Sequence, residues 1–240
     1  MHLSIPKITQ WADSANPNSF ANRLRSRRFA LFESLVSSLP KPIRILDIGG
    51  TSQFWEIQGW VNRVDVQIVT LNLQPEPKLF SNIESVVGNA TDLRQFRDAS
   101  FDVAFSNSVI EHLFSFDNQK RMANEVCRVG RAYWIQTPNF WFPVEPHFHV
   151  LGWQWMPFEM RVSLIQRWKC GWRGPYADLV QARQMVREVR LMREAELRQA
   201  FPGADLVPER FAGLVKSWIA IHGFPKSPVS IRAESPHTRH

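Results

Sequence analysis

Apolar residues along this chain follow two alternating rhythms. Short, largely apolar runs recur at residues 43–48, 66–71, 83–87, 101–105 and 132–136. Runs of this length, bounded by turn residues, read as strands buried on both faces of a parallel sheet. Other segments repeat at helical spacing. Phe20, Leu24, Phe32, Leu35, Val36 and Leu39 share one helix face. Asn18 or Ser19 is the expected cap of that helix, and Pro40-Lys41-Pro42 its stop. Its other face carries Arg23, Arg25, Arg27 and Arg28, read first as a solvated surface. A helix can begin at Phe54. Residues 117–129 form another, with Met122, Val126 and Val129 inward and Lys120 and Arg121 outward. A helix over 194–201, ended by Pro202-Gly203, precedes strands near 205–207 and 214–221. Strands alternating with helices predict right-handed βαβ units. The expected fold is α/β: a seven-stranded, mostly parallel sheet with helices on both faces.

The rhythm breaks after residue 139. Residues 140–186 are rich in Trp, Pro and Arg, which predicts a helical and aromatic insertion after the fifth strand. The domain plan is a loose arm over 1–17, one domain over 18–224 carrying this insertion, and a disordered tail over 225–240. The 240 residues, 44% of them apolar, suffice for one packed domain. No apolar run approaches the roughly 20 residues that cross a bilayer. The first ten residues lack an apolar signal core, so a cytoplasmic location is expected. Cys127 and Cys170 have no metal-ligand spacing, and no disulfide is expected. The net charge of +7 fits an acidic substrate, an anionic lipid or nucleic acid. Because the arginines are scattered among acids, a solvated basic surface is the favoured reading.

In an open parallel sheet, ligands bind beyond the carboxyl ends of the strands, where the strand order reverses. Asp47-Ile48-Gly49-Gly50 follows the first strand there. Glycine allows close backbone approach, and the carboxylate can accept bonds from a cationic or hydroxyl-bearing ligand. Gly49-Gly-Thr-Ser-Gln-Phe54 lacks the spaced glycines of a dinucleotide fingerprint, and no Gly-x-x-x-x-Gly-Lys motif is present.

The segments Ile43-Arg-Ile-Leu-Asp-Ile-Gly-Gly50, Gly88-Asn-Ala-Thr-Asp-Leu93, Phe101-Asp-Val-Ala-Phe-Ser-Asn-Ser-Val-Ile-Glu-His-Leu113 and Trp134-Ile-Gln-Thr-Pro-Asn139 follow one another at suitable intervals. In that order they resemble class I, Rossmann-like, S-adenosylmethionine-dependent methyltransferases of the small-molecule type. The resemblance covers residues 43–139 and resumes at Glu194. It implies S-adenosylmethionine as the cofactor. It places Asp47, Gly49, Gly50 and Thr51 along the methionine part, and Asn72 with Leu73 at the ribose. Asn89 and Ala90 fall at the adenine edge, and Ser106 and Asn107 beside the reacting methyl. Three positions depart from the family pattern. Thr51 stands at the second glycine of the acidic-x-Gly-x-Gly turn. Asn72 and Asn89 stand where acids are usual. On this reading Asn72→Asp should tighten cofactor binding.

The methyl of a sulfonium is already activated, so transfer needs alignment and, for a hydroxyl acceptor, a base. His147 is the leading candidate, with Glu145 sharing its face in an extended segment, and His112 is the runner-up. His149, two residues beyond His147, would share that face as well. Some quinone O-methyltransferases hold a metal with Glu-x-x-Glu-His at the site of Glu111-His112. Ser108 replaces the first acid here, so no metal is expected. Trp141, Phe142, Trp153, Trp155, Phe158, Trp168 and Trp172, interleaved with Arg161, Arg167, Lys169 and Arg173, make the insertion the expected substrate cover. The same rings can instead close a small helical subdomain or rest on a membrane surface. The expected reaction is O-methylation of a small-molecule, glycan or lipid-linked acceptor. The alternatives are a non-catalytic cofactor-binding protein and a nucleic-acid-binding protein of the same fold, although no RNA-binding signature is present.

Overall fold

The computed structural model describes residues 20–225. The 1–17 arm, the Asn18 or Ser19 cap, residues 226–240 of the tail and the side chains of residues 20–24, Arg23 included, lie outside the described residues. The chain opens with helix α1 (Phe20–Val36), strand β1 (Ile43–Ile48) and helix α2 (Ser52–Ile57). Strands β2 (Val66–Asn72), β3 (Ile83–Val87) and β4 (Phe101–Asn107) follow. Helix α3 (Phe116–Val129) leads into β5 (Gly130–Pro138). The insertion contains α4 (Phe158–Arg167) and α5 (Leu179–Arg187). Helix α6 (Glu194–Ala200) and strands β6 (Asp205–Phe211) and β7 (Leu214–His222) complete the domain.

All seven strands form one sheet in the order β3-β2-β1-β4-β5-β7-β6. Strands β1 to β5 run parallel, and β7 is antiparallel to both of its neighbours. The winding reverses between β1 and β4, the position at which such a sheet binds ligands. The predicted apolar runs are the strands: Ile45, Leu46, Val66, Val103 and Ile135 are each almost fully buried.

Helices cover both faces. On one, Phe29, Phe32, Leu35 and Val36 of α1 pack with Trp55 and Trp60 against β1, β4 and β5. Phe32 sits at ring distances of 4.8 Å from Phe105 and 5.5 Å from Trp134. Burying one such side chain stabilises the fold by about 1.5–3 kcal/mol. On the other face, Met122, Ala123 and Val126 of α3 pack with Leu197 and Ala200 of α6.

One departure from the sequence reading concerns connections. The segments from β2 to β3 and from β3 to β4 contain no helix, and Pro75 and Pro77 obstruct one in the first. The insertion, expected to be helical and aromatic, contains two helices around an apolar core of its own. Phe148 and Trp153 stack there at 4.0 Å, beside Val162, Ile165, Ala182 and Val186. Thus Trp153 closes a small subdomain, while Trp141, Trp155, Trp168 and Trp172 remain exposed.

Candidate active site

The turn after β1 is shaped by its two glycines. Gly49 has φ +75°, and a Cβ there would lie 2.6 Å from the Val109 side chain. A Cβ on Gly50 would lie 1.7 Å from the Asp47 carboxylate. Thr51 needs no glycine. Its φ of −125° is extended, and its side chain caps α2 by accepting from the Phe54 N–H. Asp47 is buried beneath this turn and accepts from Trp55 Nε1 at 2.7 Å. Its Oδ1 is buried without a partner. Burial pushes the carboxyl up to about 7, against the lowering effect of the Trp55 bond.

Asn72 ends β2 and donates from Nδ2 to the Gly50 carbonyl at 2.7 Å. This bond explains the amide. A carboxylate there would face a carbonyl oxygen, so the expected gain from Asn72→Asp is withdrawn. Leu73, next in the chain, is exposed at this edge. The acid absent from position 72 reappears at Glu76, whose Oε2 accepts from the Ser52 N–H at 3.3 Å. The sequence reading missed Glu76 because it lies in the loop beyond the family position. Asn89 organises the turn after β3, accepting from the Thr91 N–H and hydroxyl at 3.0 Å each, with Ala90 between them. Ser106 is fully buried, and its hydroxyl donates to the Ile48 carbonyl, tying β4 to β1. Its side chain is therefore a structural tie, and only its backbone can border a ligand. Asn107 accepts from Arg28 Nη1 at 2.6 Å. Arg28 also grips Glu209 with two bonds of 2.8 Å. It is thus an inward bridge from α1 to β4 and β6, not part of the solvated face expected from the sequence.

The catalytic candidates converge beyond β4 and β5. Glu145 is buried, and its carboxylate accepts from the backbone N–H groups of His147 and Phe148 at 2.7 Å each. It also meets His147 Nδ1 at 2.6 Å. A turn closed by the His149 N–H to Glu145 carbonyl bond creates this pairing, where an extended segment was expected. The turn also parts the two histidines. His149 has φ +52° and lies against Trp172, whereas the His147 ring meets His112 edge to face at 4.8 Å. Burial draws His147 down, but the hydrogen bond and charge of Glu145 outweigh it and leave the imidazole above its ordinary value. Burial and the neighbouring His147 lower His112 to about 4. His112 Nδ1 has no hydrogen-bond partner among the described residues, so this ring does not cap a helix end. Glu111 is buried, receives the Thr137 hydroxyl at 3.0 Å and is raised to about 7 by burial.

Donor atoms of Glu111, His112 and His147 all lie within 4.8 Å of one another. That spacing can share a proton or admit a cation. Spacing in sequence could not show it, because His147 comes from a different loop. A cavity of about 320 Å³ opens beside His147, lined by Asn107, Ser108, Gln136, Asn139 and Trp172 and by cations from α1 and β7. The carboxyl ends of β4 and β5 form its floor.

A methyltransferase-domain family model matches residues 56–132. Two uncharacterized proteins of Mycobacterium tuberculosis are 44% identical over 50 residues, 21% of this chain and 17% of theirs. The chain therefore spans less than a fifth of the length of these relatives. Among solved structures, the CurJ carbon methyltransferase is similar over 89% of this chain and 56% of its own, with a TM-score of 0.52 and 12% identity. A methyltransferase from Aquifex aeolicus is similar over 81% of this chain and 87% of its own, with a TM-score of 0.46 and 13% identity. No helix among the described residues is long and apolar enough to cross a membrane. The strand order and the glycine turn thus give residues 43–222 the class I, Rossmann-like methyltransferase fold, and the methyltransferase-domain model matches residues 56–132 within it.

Proposed function

We propose that this protein transfers the methyl group of S-adenosylmethionine to a hydroxyl of a small-molecule, glycan or lipid-linked acceptor. The observation that carries the reading is the cavity beside His147, with a buried carboxylate fixing that imidazole. The turn fits the cofactor. Asp47 keeps a buried oxygen without a partner among the described residues, and Gly50 leaves the space beside that carboxylate free of a Cβ. Asp47 would hold the ammonium of the methionine part. Asn72 Oδ1 and Glu76 would accept from the ribose hydroxyls, and Asn89 and Ala90 would edge the adenine. When bound, the cofactor supplies an electrophilic methyl on a sulfonium.

The chain's own residues align the acceptor and remove its proton. Glu145 orients His147 through Nδ1, which leaves Nε2 to face the acceptor. As the oxygen–methyl bond forms and the sulfur–methyl bond breaks, the hydroxyl proton passes to His147 Nε2. Asn107, Ser108 and Gln136 supply hydrogen-bonding groups around the acceptor, and the Ser108 hydroxyl is already donated to Gln136 at 2.8 Å.

Replacement of His147 tests this. His147→Ala should lower turnover by about 10²-fold or more. Cofactor affinity, measured by calorimetry, should stay unchanged. Near-full turnover in His147→Ala with loss in His112→Ala would move the base to His112. The absence of methyl transfer to any acceptor in a screen with labelled donor would favour the non-catalytic reading. Asp47→Ala should weaken cofactor binding by about 1–3 kcal/mol.

A further inference from the structure

Cations from two elements line the cavity beside His147. Arg25 and Arg28 reach it from α1, and Lys216 from β7. Arg28 is already engaged, held by both oxygens of Glu209 and by Asn107. Glu209 also accepts from the Ser217 hydroxyl. Lys216 differs. Its ammonium forms no hydrogen bond or salt bridge among the described residues, and the residue is half-buried. Burial, Arg28 and Arg25 all press its pKa down, and only Glu209 opposes them. The carboxylate that acts on Lys216, Glu209, is thus committed to Arg28 and Ser217. The remaining polar lining is neutral: Ser108, Gln136 and Asn139. His147 has its own partner in Glu145. An ammonium left unpaired at a half-buried wall is costly unless a ligand brings the missing negative charge.

We infer that the acceptor is an anion, whose carboxylate or phosphate binds Lys216 while its hydroxyl reaches His147 in the same cavity. Trp172 lines the same cavity and offers a flat face for a ring, and about 320 Å³ suits a compact acid. The charge of the whole chain points the same way, since +7 admits an acidic substrate. The inference rests on the reading of this cavity as the acceptor site. Anion binding is measurable without methyl transfer, so the two can fail separately.

The test uses the full chain, calorimetry and thermal shift at fixed ionic strength. Inorganic phosphate and benzoate are titrated against chloride into the wild type, Lys216→Met, Lys216→Arg and the remote control Lys120→Met. Saturable stabilisation by phosphate or benzoate is expected in the wild type and in Lys120→Met. It should weaken at least about 10-fold in Lys216→Met and return in Lys216→Arg. S-adenosylmethionine affinity should be the same in all four proteins. No saturable anion effect in the wild type, or an equal one in Lys216→Met, would overturn the inference. So would a loss of cofactor affinity in Lys216→Met, which would assign the lysine to the cofactor carboxylate. Vesicles containing phosphatidic acid, set beside a soluble sugar phosphate, separate a lipid headgroup from a free phosphate. In an acceptor screen, hydroxy acids should be methylated and their neutral esters not. Equal transfer to the esters would refute the anionic acceptor. Anion binding that depends on Lys216, in a protein that methylates nothing, would support the anion site and refute the catalytic reading.

Discussion

Two buried carboxyl groups, Asp47 and Glu111, and the imidazole of His147 carry pH dependence that can be tested. Asp47 has its carboxyl pushed up from 3.8 to about 7 by burial. Between about pH 4 and 7 the folded state thus holds a proton that the unfolded chain has released. Stability contributed at Asp47 therefore falls as pH rises through that window. Asp47→Asn is neutral and can still accept from Trp55. It should stabilise the cofactor-free protein at pH 8 by on the order of 1 kcal/mol. It should also weaken cofactor binding, a trade typical of a strained functional site. Denaturant unfolding at pH 5 and 8 checks this, and an unchanged slope of stability against pH would contradict it. Glu111 is raised similarly, so part of the slope should persist in the variant. His147 governs the rate. Its folded value lies above the ordinary one because of Glu145, and its neutral form is the base. The methyl-transfer rate should therefore rise with pH through an ionisation above 6.5. Glu145→Gln keeps acceptors for the two backbone N–H groups but removes the charge. It should shift the profile to lower pH and lower the plateau by roughly 10-fold, a positioning effect. An unmoved profile would show that His147 does not set it.

At the level of elements, the turn between β1 and α2 shows how far the sequence could be read. Gly49 and Gly50 were legible as a ligand turn, because only glycine meets the positive φ and the crowding by Asp47. Thr51 looked like a departure from the family, yet it caps α2 in an extended conformation. Thr51→Ala should destabilise the protein by about 1 kcal/mol, and Thr51→Gly by only a few tenths. Thermal unfolding of the two variants distinguishes a cap from a place that wants glycine. If Thr51→Gly were the more costly, the cap would not be the reason for threonine. The strands were legible because parallel strands are largely apolar runs. The insertion was legible as helical, but its separate core was not, because Phe148, Trp153, Val162, Ile165, Ala182 and Val186 come from several turns and helices of the segment. The pairing of Glu145 with His147 was anticipated from their separation, but the turn that makes it was not. Glu76, Glu209 and Lys216 were missed altogether. Each comes from an element distant in sequence, and no local pattern marks them.

At the scale of the whole molecule, the domain has three apolar cores, and this division makes the role of the insertion testable. The core of Phe148, Trp153, Val162, Ile165, Ala182 and Val186 is separate from the two that sandwich the sheet. The ends of the insertion lie together, since Asn139 bridges Met192 and the Phe140 N–H donates to the Met192 carbonyl. Arg190 belongs to the sheet side of this boundary. Its N–H donates to the Glu111 carbonyl, and its own carbonyl accepts from Gln119. Residues 143–188 can therefore be replaced by a short Gly/Ser linker without crossing either main core or displacing Arg190. The positions assigned to the cofactor, from Asp47 to Asn107, all lie outside that segment. The shortened protein should therefore fold and bind S-adenosylmethionine within a few-fold of the wild type. It should transfer no methyl group, because Glu145, His147 and Trp172 leave with the segment. Circular dichroism, cofactor calorimetry and a labelled-methyl assay read these outcomes separately. Retained transfer would place the acceptor and its base outside the insertion. Loss of folding together with cofactor binding would show that the third core supports the sheet, although its side chains are packed apart from it.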